Sequence, residues 1–264
     1  YVAEFIAKKG VKSVFAISGG ASLHLIHSIN DHPEINYVCT HHEQGAAFAA
    51  VANAQQSDQI SACLVSTGCA STNTITGVLN AWQDGLPVIF ISGQNKLNET
   101  SRHTGIPLRT YGQQEADIVS IVSGITKYAT MITDPTRIGH ELGKALYLAN
   151  EGRKGPVWLD IPLDVQNMRV DPTNLELFVQ ESASSHDCSS EDVEYVAHEL
   201  SKAERPVLLI GHGIRSANAE SEFEELANML QIPVTYSGSS PDIYPLENEL
   251  SIGSVGIMGC SRAG

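Results

Sequence analysis

Six short runs of β-branched and aromatic residues recur at intervals too long for tight turns: VKSVFAI (11–17), NYVCT (36–40), SACLVST (61–67), PVIFISG (87–93), ITKYATMI (125–132) and PVWLDIP (156–162). Runs that are apolar almost throughout, rather than on alternate residues, belong to strands buried on both faces, and the segments between them are long enough for crossover helices. This spacing predicts an α/β protein built on a doubly wound, parallel six-stranded sheet. Helix signals agree with it. Asp134 precedes Pro135 as an N-cap precedes a first helical proline, and Gly152 follows the apolar run ALYLAN.

Beyond Leu163 the periodicity fades into a polar stretch that contains Pro172 and ESASSHDCSS (181–190). The composition predicts a solvated connection over 165–188 between a first domain, 1–164, and a second, 189–264. The second begins with a capping-box pattern, Ser189-x-x-Asp192. Two strand runs, PVLLIG (206–211) and PVTYSG (233–238), then flank the helical run ESEFEELANML, so this domain is also read as α/β and as incomplete. Tyr1 at the start and GIMGCSRAG at the end lead us to expect that both ends are cut.

Composition removes several functional classes. Sixteen Lys and Arg against thirty Asp and Glu give a formal charge of −14, with no basic cluster to hold nucleic acid or an anionic lipid surface. The apolar runs are too short to span a bilayer. Five cysteines, an odd number without a Cys-x-x-Cys pair, fit free thiols in the reducing cytoplasm better than a disulfide framework or a zinc site.

In a parallel sheet, ligands collect where loops leave the carboxyl ends of the strands. Four polar or glycine-rich segments are expected there: ISGG (17–20), HHEQG (41–45), STGCASTN (66–73) and SGQN (92–95). Glu43 opens a helix whose next residues, Gly45, Ala46, Ala47, Ala49 and Ala50, have almost no side-chain bulk, so a flat ligand or another backbone can approach closely. A partly dehydrated carboxyl at that position is able to exchange a proton with a bound heterocycle. The alternative is that Glu43 only occupies a first helical turn, where the dipole favours negative charge. His41 and His42 match no zinc pattern, and no metal ligands are assigned. ISGG lacks a dinucleotide or P-loop signature. GHGIRSANAE (211–220) reads either as a phosphate-holding loop or as a turn with a solvent-facing arginine. Cys69 has no partner that would make it a nucleophile.

Taken in order, HHEQGAAFAA, TNTITGVLNAWQDGLPVIFISGQ, QQEADIVSIVSGITKYA and GRKGPVWLDIPLDVQ resemble the amino-terminal half of thiamine diphosphate-dependent enzymes of the acetolactate synthase and decarboxylase superfamily. The resemblance spans nearly the whole chain. It implies a thiamin diphosphate-binding fold with a pyrimidine-binding domain, followed by part of a Rossmann-like central domain. It aligns Glu43 with the glutamate that hydrogen-bonds the cofactor's aminopyrimidine ring. It aligns Ser18, Gly19 and Gly20, together with Thr67 and Asn73, with loops at the ring end of the cofactor, and makes Gln114 the residue facing the reacting intermediate. The implied activity is decarboxylation or carboligation of a 2-keto acid by a homodimer or homotetramer with sites between subunits. Magnesium and diphosphate ligands are expected outside these residues, because no Gly-Asp-Gly followed by asparagine occurs among them. FAD is left open as a further cofactor, with no residue here in its support. The chain departs from the pattern at Ser18, at Cys69 and Ala70, and at Gln113, where acetolactate synthases commonly carry phenylalanine. A more polar pocket suits a hydroxylated acceptor. Two other readings are a non-catalytic nucleotide- or flavin-binding module and the pyrimidine-binding subunit of a split enzyme.

Overall fold

The computed structural model describes residues 1–180, 188–256 and 259, and falls into two compact units, Tyr1–Gln180 and Glu181–Gly264. In the first, all six expected runs form strands: β1 (Ser13–Ala16), β2 (Asn36–Cys39), β3 (Ser61–Val65), β4 (Val88–Gln94), β5 (Tyr128–Met131) and β6 (Val157–Pro162). They make one sheet in the order β2-β1-β3-β4-β6-β5, and every pairing is parallel.

Side chains alternate across a strand, so a doubly covered sheet sorts its residues by parity. Ala62, Leu64, Ile89, Ile91, Val157 and Leu159 face one layer of core with α1 (Val2–Lys8), α2 (Leu23–Asn30) and α6 (Ile138–Asn150). Cys63, Val65, Val88, Phe90 and Trp158 face the other, with α3 (Glu43–Ser57), α4 (Ile75–Asp84) and α5 (Ile118–Val122). Phe90 and Trp158 stack there with centroids 5.4 Å apart. The alanines of α3 let it lie tight on β3 and α4. A Cβ added at Gly77 of α4 would meet the Ala47 Cβ at 2.6 Å.

The segment read as a solvated connection is in part packed. Residues 165–180 belong to the first unit, and Phe178 sets its ring against His140 and Tyr147 of α6. Leu175, Leu177 and Phe178 are apolar residues within a polar stretch; Leu175 packs on the first core layer, and α6 admits Leu177 and Phe178 because Gly139 and Gly143 have no Cβ to stand in the way. Most of the serine-rich run, 181–187, lies outside the described residues, as does most of the closing GIMGCSRAG, including Cys260.

The second unit contains α7 (Ser190–Lys202) and α8 (Glu220–Leu230) and a parallel sheet in the order β7 (Leu208–Ile210), β8 (Val234–Tyr236), β9 (Ser251–Ser254). The Ser189–Asp192 capping box forms as expected. Among the described residues its core is one small cluster: Ile210, Phe223, Ala227, Val234, Tyr236 and Tyr244. No described helix is long and apolar enough to cross a membrane.

Candidate functional site

The strand order reverses between β1 and β3, since the chain moves outward to β2 and then returns to the other side of β1. Loops at the carboxyl ends of those strands separate at such a switch point and leave a crevice. The segment after β1 runs through Ser18, Gly19 and Gly20, and Gly19 lies so close to the segment after β3 that an added Cβ would sit 2.4 Å from the Ser66 Cβ. Ser18 and Gly20 are exposed at the rim.

Glu43 is the first residue of α3 and is half-buried. The helix is capped not by Ser, Thr, Asp or Asn but by His42, whose Nδ1 accepts the Gln44 N–H at 3.1 Å. A ring nitrogen that accepts here is unprotonated, so His42 serves as an orphan-amide partner in the role usually taken by a short polar side chain. The Glu43 carboxylate accepts one hydrogen bond, from Asn73 Nδ2 to Oε2 at 3.0 Å. Gly45 has open space where its Cβ would be, so the first turn of α3 presents a carboxylate beside bare backbone. Beneath it, burial pushes the Cys63 thiol up, and the Glu43 carboxylate pushes it further, which keeps this sulfur protonated.

Two candidates behave differently from simple rim residues. Thr67 is buried and donates its hydroxyl to Gln94 Oε1 at 2.5 Å. Gln114 is exposed but adopts a left-handed backbone, φ 56°, rarely occupied by residues with a side chain. Its carbonyl lies over Gly68, where an added Cβ would be 1.8 Å from that oxygen; Gly68 itself has φ 65°. Two independent constraints at one glycine tie the loop after β3 to the Gln113-Gln114 segment.

That segment is held from its other side by Glu115. Its carboxylate accepts from Ser101 N at 2.6 Å, Ser101 Oγ at 2.7 Å, Tyr111 N at 2.7 Å and Gly112 N at 3.3 Å. Burial alone pushes the Glu115 carboxyl up, but these four donors outweigh burial and hold it below the ordinary carboxylate range.

Sequence reasoning passed over Glu115 and Asp160, and took Gln94 only as part of the SGQN segment. Asp160 lies in β6 among apolar residues and is 1% exposed. It pairs in register with Ser92, whose Oγ donates to Oδ1 at 2.6 Å, while Gln94 Nε2 donates to Oδ2 at 3.0 Å. The signal was present in a different form: a charged residue inside an apolar parallel strand, PVWLDIP, needs buried partners, and Ser92 and Gln94 of ISGQ share its face.

The four segments after β1, β2, β3 and β4 therefore converge, with Glu43, Asn73, Gly19, Thr67 and Gln114 on one edge. A cavity of about 490 Å³ elsewhere in the first unit is lined by Leu25, Ile29, Ile161 and Val165 and contains none of them. Its lining also holds polar side chains, among them Glu4, Lys8, His24 and Gln166. In the second unit, Arg215 of the GHGIRS turn pairs with Asp242 at 3.0 Å and with Glu220 at 3.7 Å. Its charge is spent within the protein, in line with the turn reading. Among the described residues no three His, Cys, Asp or Glu side chains gather as metal ligands would.

This architecture is shared with a known class. Residues 1–121 match the N-terminal TPP binding domain of thiamine pyrophosphate enzymes and residues 193–264 match their central domain, so the chain belongs to the thiamine pyrophosphate enzyme family. Within it, the chain is similar to acetolactate synthases. The chain is 33% identical to the acetolactate synthase large subunit of Corynebacterium glutamicum over 253 residues, covering 95% of this chain and 39% of that protein. It is 30% identical to the acetolactate synthase isozyme 1 large subunit of Escherichia coli over 262 residues, covering 98% and 44%. A probable acetolactate synthase large subunit of Methanocaldococcus jannaschii is 31% identical, with 97% of this chain and 42% of that protein covered. The chain thus spans about two fifths of the length of these curated relatives.

Proposed function

We propose that the chain is the cofactor-activating, N-terminal part of a thiamine diphosphate-dependent enzyme that decarboxylates or joins 2-keto acids, in the manner of acetolactate synthase. The observation that carries this reading is the Glu43 carboxylate at the head of α3, held on one oxygen by Asn73, in a first turn where Gly45 leaves open space. Thiamine diphosphate supplies the acidic carbon and the electron sink for breaking or making a bond next to a carbonyl. In this reading Glu43 holds and moves a proton at the pyrimidine ring of the cofactor, and Asn73 sets the direction of the carboxylate. Ser18, Gly19, Gly20 and Thr67 border the ring, and Gln114 faces the reacting group.

The residues present fit the ring half of the cofactor: one oriented carboxylate, little side-chain bulk and an open edge. Magnesium and diphosphate ligands come from elsewhere in the complete protein, so this chain alone is inactive. The first unit, to Gln180, is then the pyrimidine-binding domain, and residues from 189 onward belong to the central domain. A homodimer or homotetramer with shared sites is supported by Phe48, Leu79 and Trp82, large apolar residues left exposed on α3 and α4. The free cysteines Cys39, Cys63, Cys69 and Cys188 support a cytoplasmic location.

The test is Glu43→Gln in the complete protein, reading exchange of the thiazolium C2 proton for deuterium by NMR. Loss of the proton carrier is expected to slow exchange by about 10²–10⁴-fold with unchanged thermal unfolding. Exchange at the wild-type rate would remove Glu43 from the mechanism and with it this reading.

A further inference from the structure

We propose that Asp160 is a positioning residue for the Glu43 edge: through Gln94 it sets the hydroxyl of Thr67 and the backbone from Gln113 to Ala116 that lies over Gly68. The proposal rests on the reading above only in taking that edge as the cofactor's.

Gln94 is the junction. Its Nε2 donates to Asp160 Oδ2 at 3.0 Å and to the Ala116 carbonyl at 3.1 Å. Its Oε1 accepts from the Thr67 hydroxyl and from Asn95 N at 3.0 Å, and Asn95 Nδ2 reaches on to the Gln113 carbonyl at 3.0 Å. One buried amide thus joins the loop after β3, the end of β4 and the segment that carries Gln114. An amide has two faces of opposite sense, and an ionised carboxylate accepts only. With Asp160 ionised, Nε2 must face β6 and Oε1 must face Thr67. Ser92 Oγ occupies the other carboxylate oxygen while accepting from Trp158 Nε1 at 2.9 Å, so the anchor is itself fixed.

An asparagine at this position keeps the volume and loses that sense. If its oxygen accepts from Ser92, its amino group confronts the Gln94 amino group, and the junction must rearrange.

Asp160 is also placed to respond to pH. Burial pushes its carboxyl up to about 7, against the bonds from Ser92 and Gln94; Asp117 pushes it further up and Arg102 draws it down. Below that range a charge-assisted bond to Gln94 becomes a neutral one of roughly half the strength.

Two measurements test this. The first uses the wild-type chain and needs no cofactor. After correction for intrinsic exchange, protection of the Asn95 amide is expected to fall at least about threefold from pH 8.5 to pH 5.5, while that of Leu64 in β3 stays constant. Equal Asn95 protection at both values overturns the proposal, and this readout stands even where a variant fails to fold. The second uses Asp160→Asn in the complete protein with thiamine diphosphate and pyruvate. Misplacement of the ring-side loops is expected to raise the cofactor KM about tenfold with a smaller change in kcat, and to abolish an acid limb near pH 7 in kcat/KM. A variant with wild-type KM and pH profile shows that Asp160 serves the fold alone. If the wild-type protein turns over no 2-keto acid, the thiamine reading fails, and the amide measurement still decides whether Asp160 governs the loops.

Discussion

Helices α3 and α7 share one grammar and meet different fates. Both start with a satisfied cap, His42 for α3 and the Ser189–Asp192 box for α7. The first buries Ala46, Ala47, Ala50, Val51 and Ala54 against a sheet covered on both sides; the second buries none of its residues and leaves Val193, Tyr195 and Val196 exposed. The strands follow suit. Every residue of β3, β4 and β6 is buried, whereas Leu209 in the middle of β7 is 65% exposed. Caps decide where a helix begins, but stability comes from the surface it covers. The candidate site residues lie in the unit where that surface is complete, and there the Glu43 carboxylate is held by Asn73.

The contrast breaks most sharply in the core of the first unit. Trp158→Ala removes a fully buried ring stacked on Phe90, and is expected to cost about 3–5 kcal/mol in urea unfolding of that unit. The unfolding transition of the second unit should not move.

Titration gives the next effect. An unfolded Asp160 loses its proton near its ordinary value of 3.8, the folded one only near 7. Between these values the folded state holds a proton that the unfolded state lacks, so this group's contribution to stability declines as pH rises from about 4 to about 7, by on the order of 2–4 kcal/mol. Glu115 and Glu141 work in the opposite sense. Burial pushes each up, but the donors around them, including Tyr128, Arg137 and His140 at Glu141, hold both below the ordinary value. Their contribution is present above the unfolded value of 4.5 and is lost as pH falls through their lowered values. Asp160→Asn should therefore make the stability profile of the first unit flatter between pH 4 and 7, measured by urea unfolding at stepped pH. Retention of the wild-type slope would assign it to other groups.

In the second unit the effects should be smaller. Ser189→Ala removes the reciprocal cap of α7 and should cost about 1 kcal/mol, seen as faster amide exchange in its first turn. Val196→Ala, on the exposed face of that helix, should change stability by less than about 0.5 kcal/mol. A cost of about 2 kcal/mol or more would mean that this face is covered in solution.

Much of this was readable beforehand, for identifiable reasons. The six strands of the first sheet appear as apolar runs because both faces of each are buried. β9 escaped notice because its residues, SIGS, are half-buried and carry no such run. Polarity marks the domain boundary, but it does not show that Leu177 and Phe178 find the bare surface of α6 at Gly139 and Gly143. At the site, Glu43 was visible as a carboxylate at the start of a small-residue helix. Its bond to Asn73 was not, since 30 residues and a whole strand separate them. Asp160 was hidden by its setting: it looks like an interruption of an apolar strand until Gln94, expected only as one residue of the SGQN edge, stands beside it, 66 residues away in sequence.

The order of residue types along the chain carries its periodicity, and with it the alternation of strand and helix, the parallel sheet and the edge where its polar loops emerge. These follow from local rules of pleat, pitch and cap, each satisfied within a few residues. Tertiary structure alone decided which polar groups would meet at that edge: Asn73 with Glu43, Gln114 over Gly68, and Gln94 between Thr67 and Asp160. Those contacts depend on strand order and register. In a parallel sheet these are set by the packing of two helical layers at once, which no single stretch of the chain encodes.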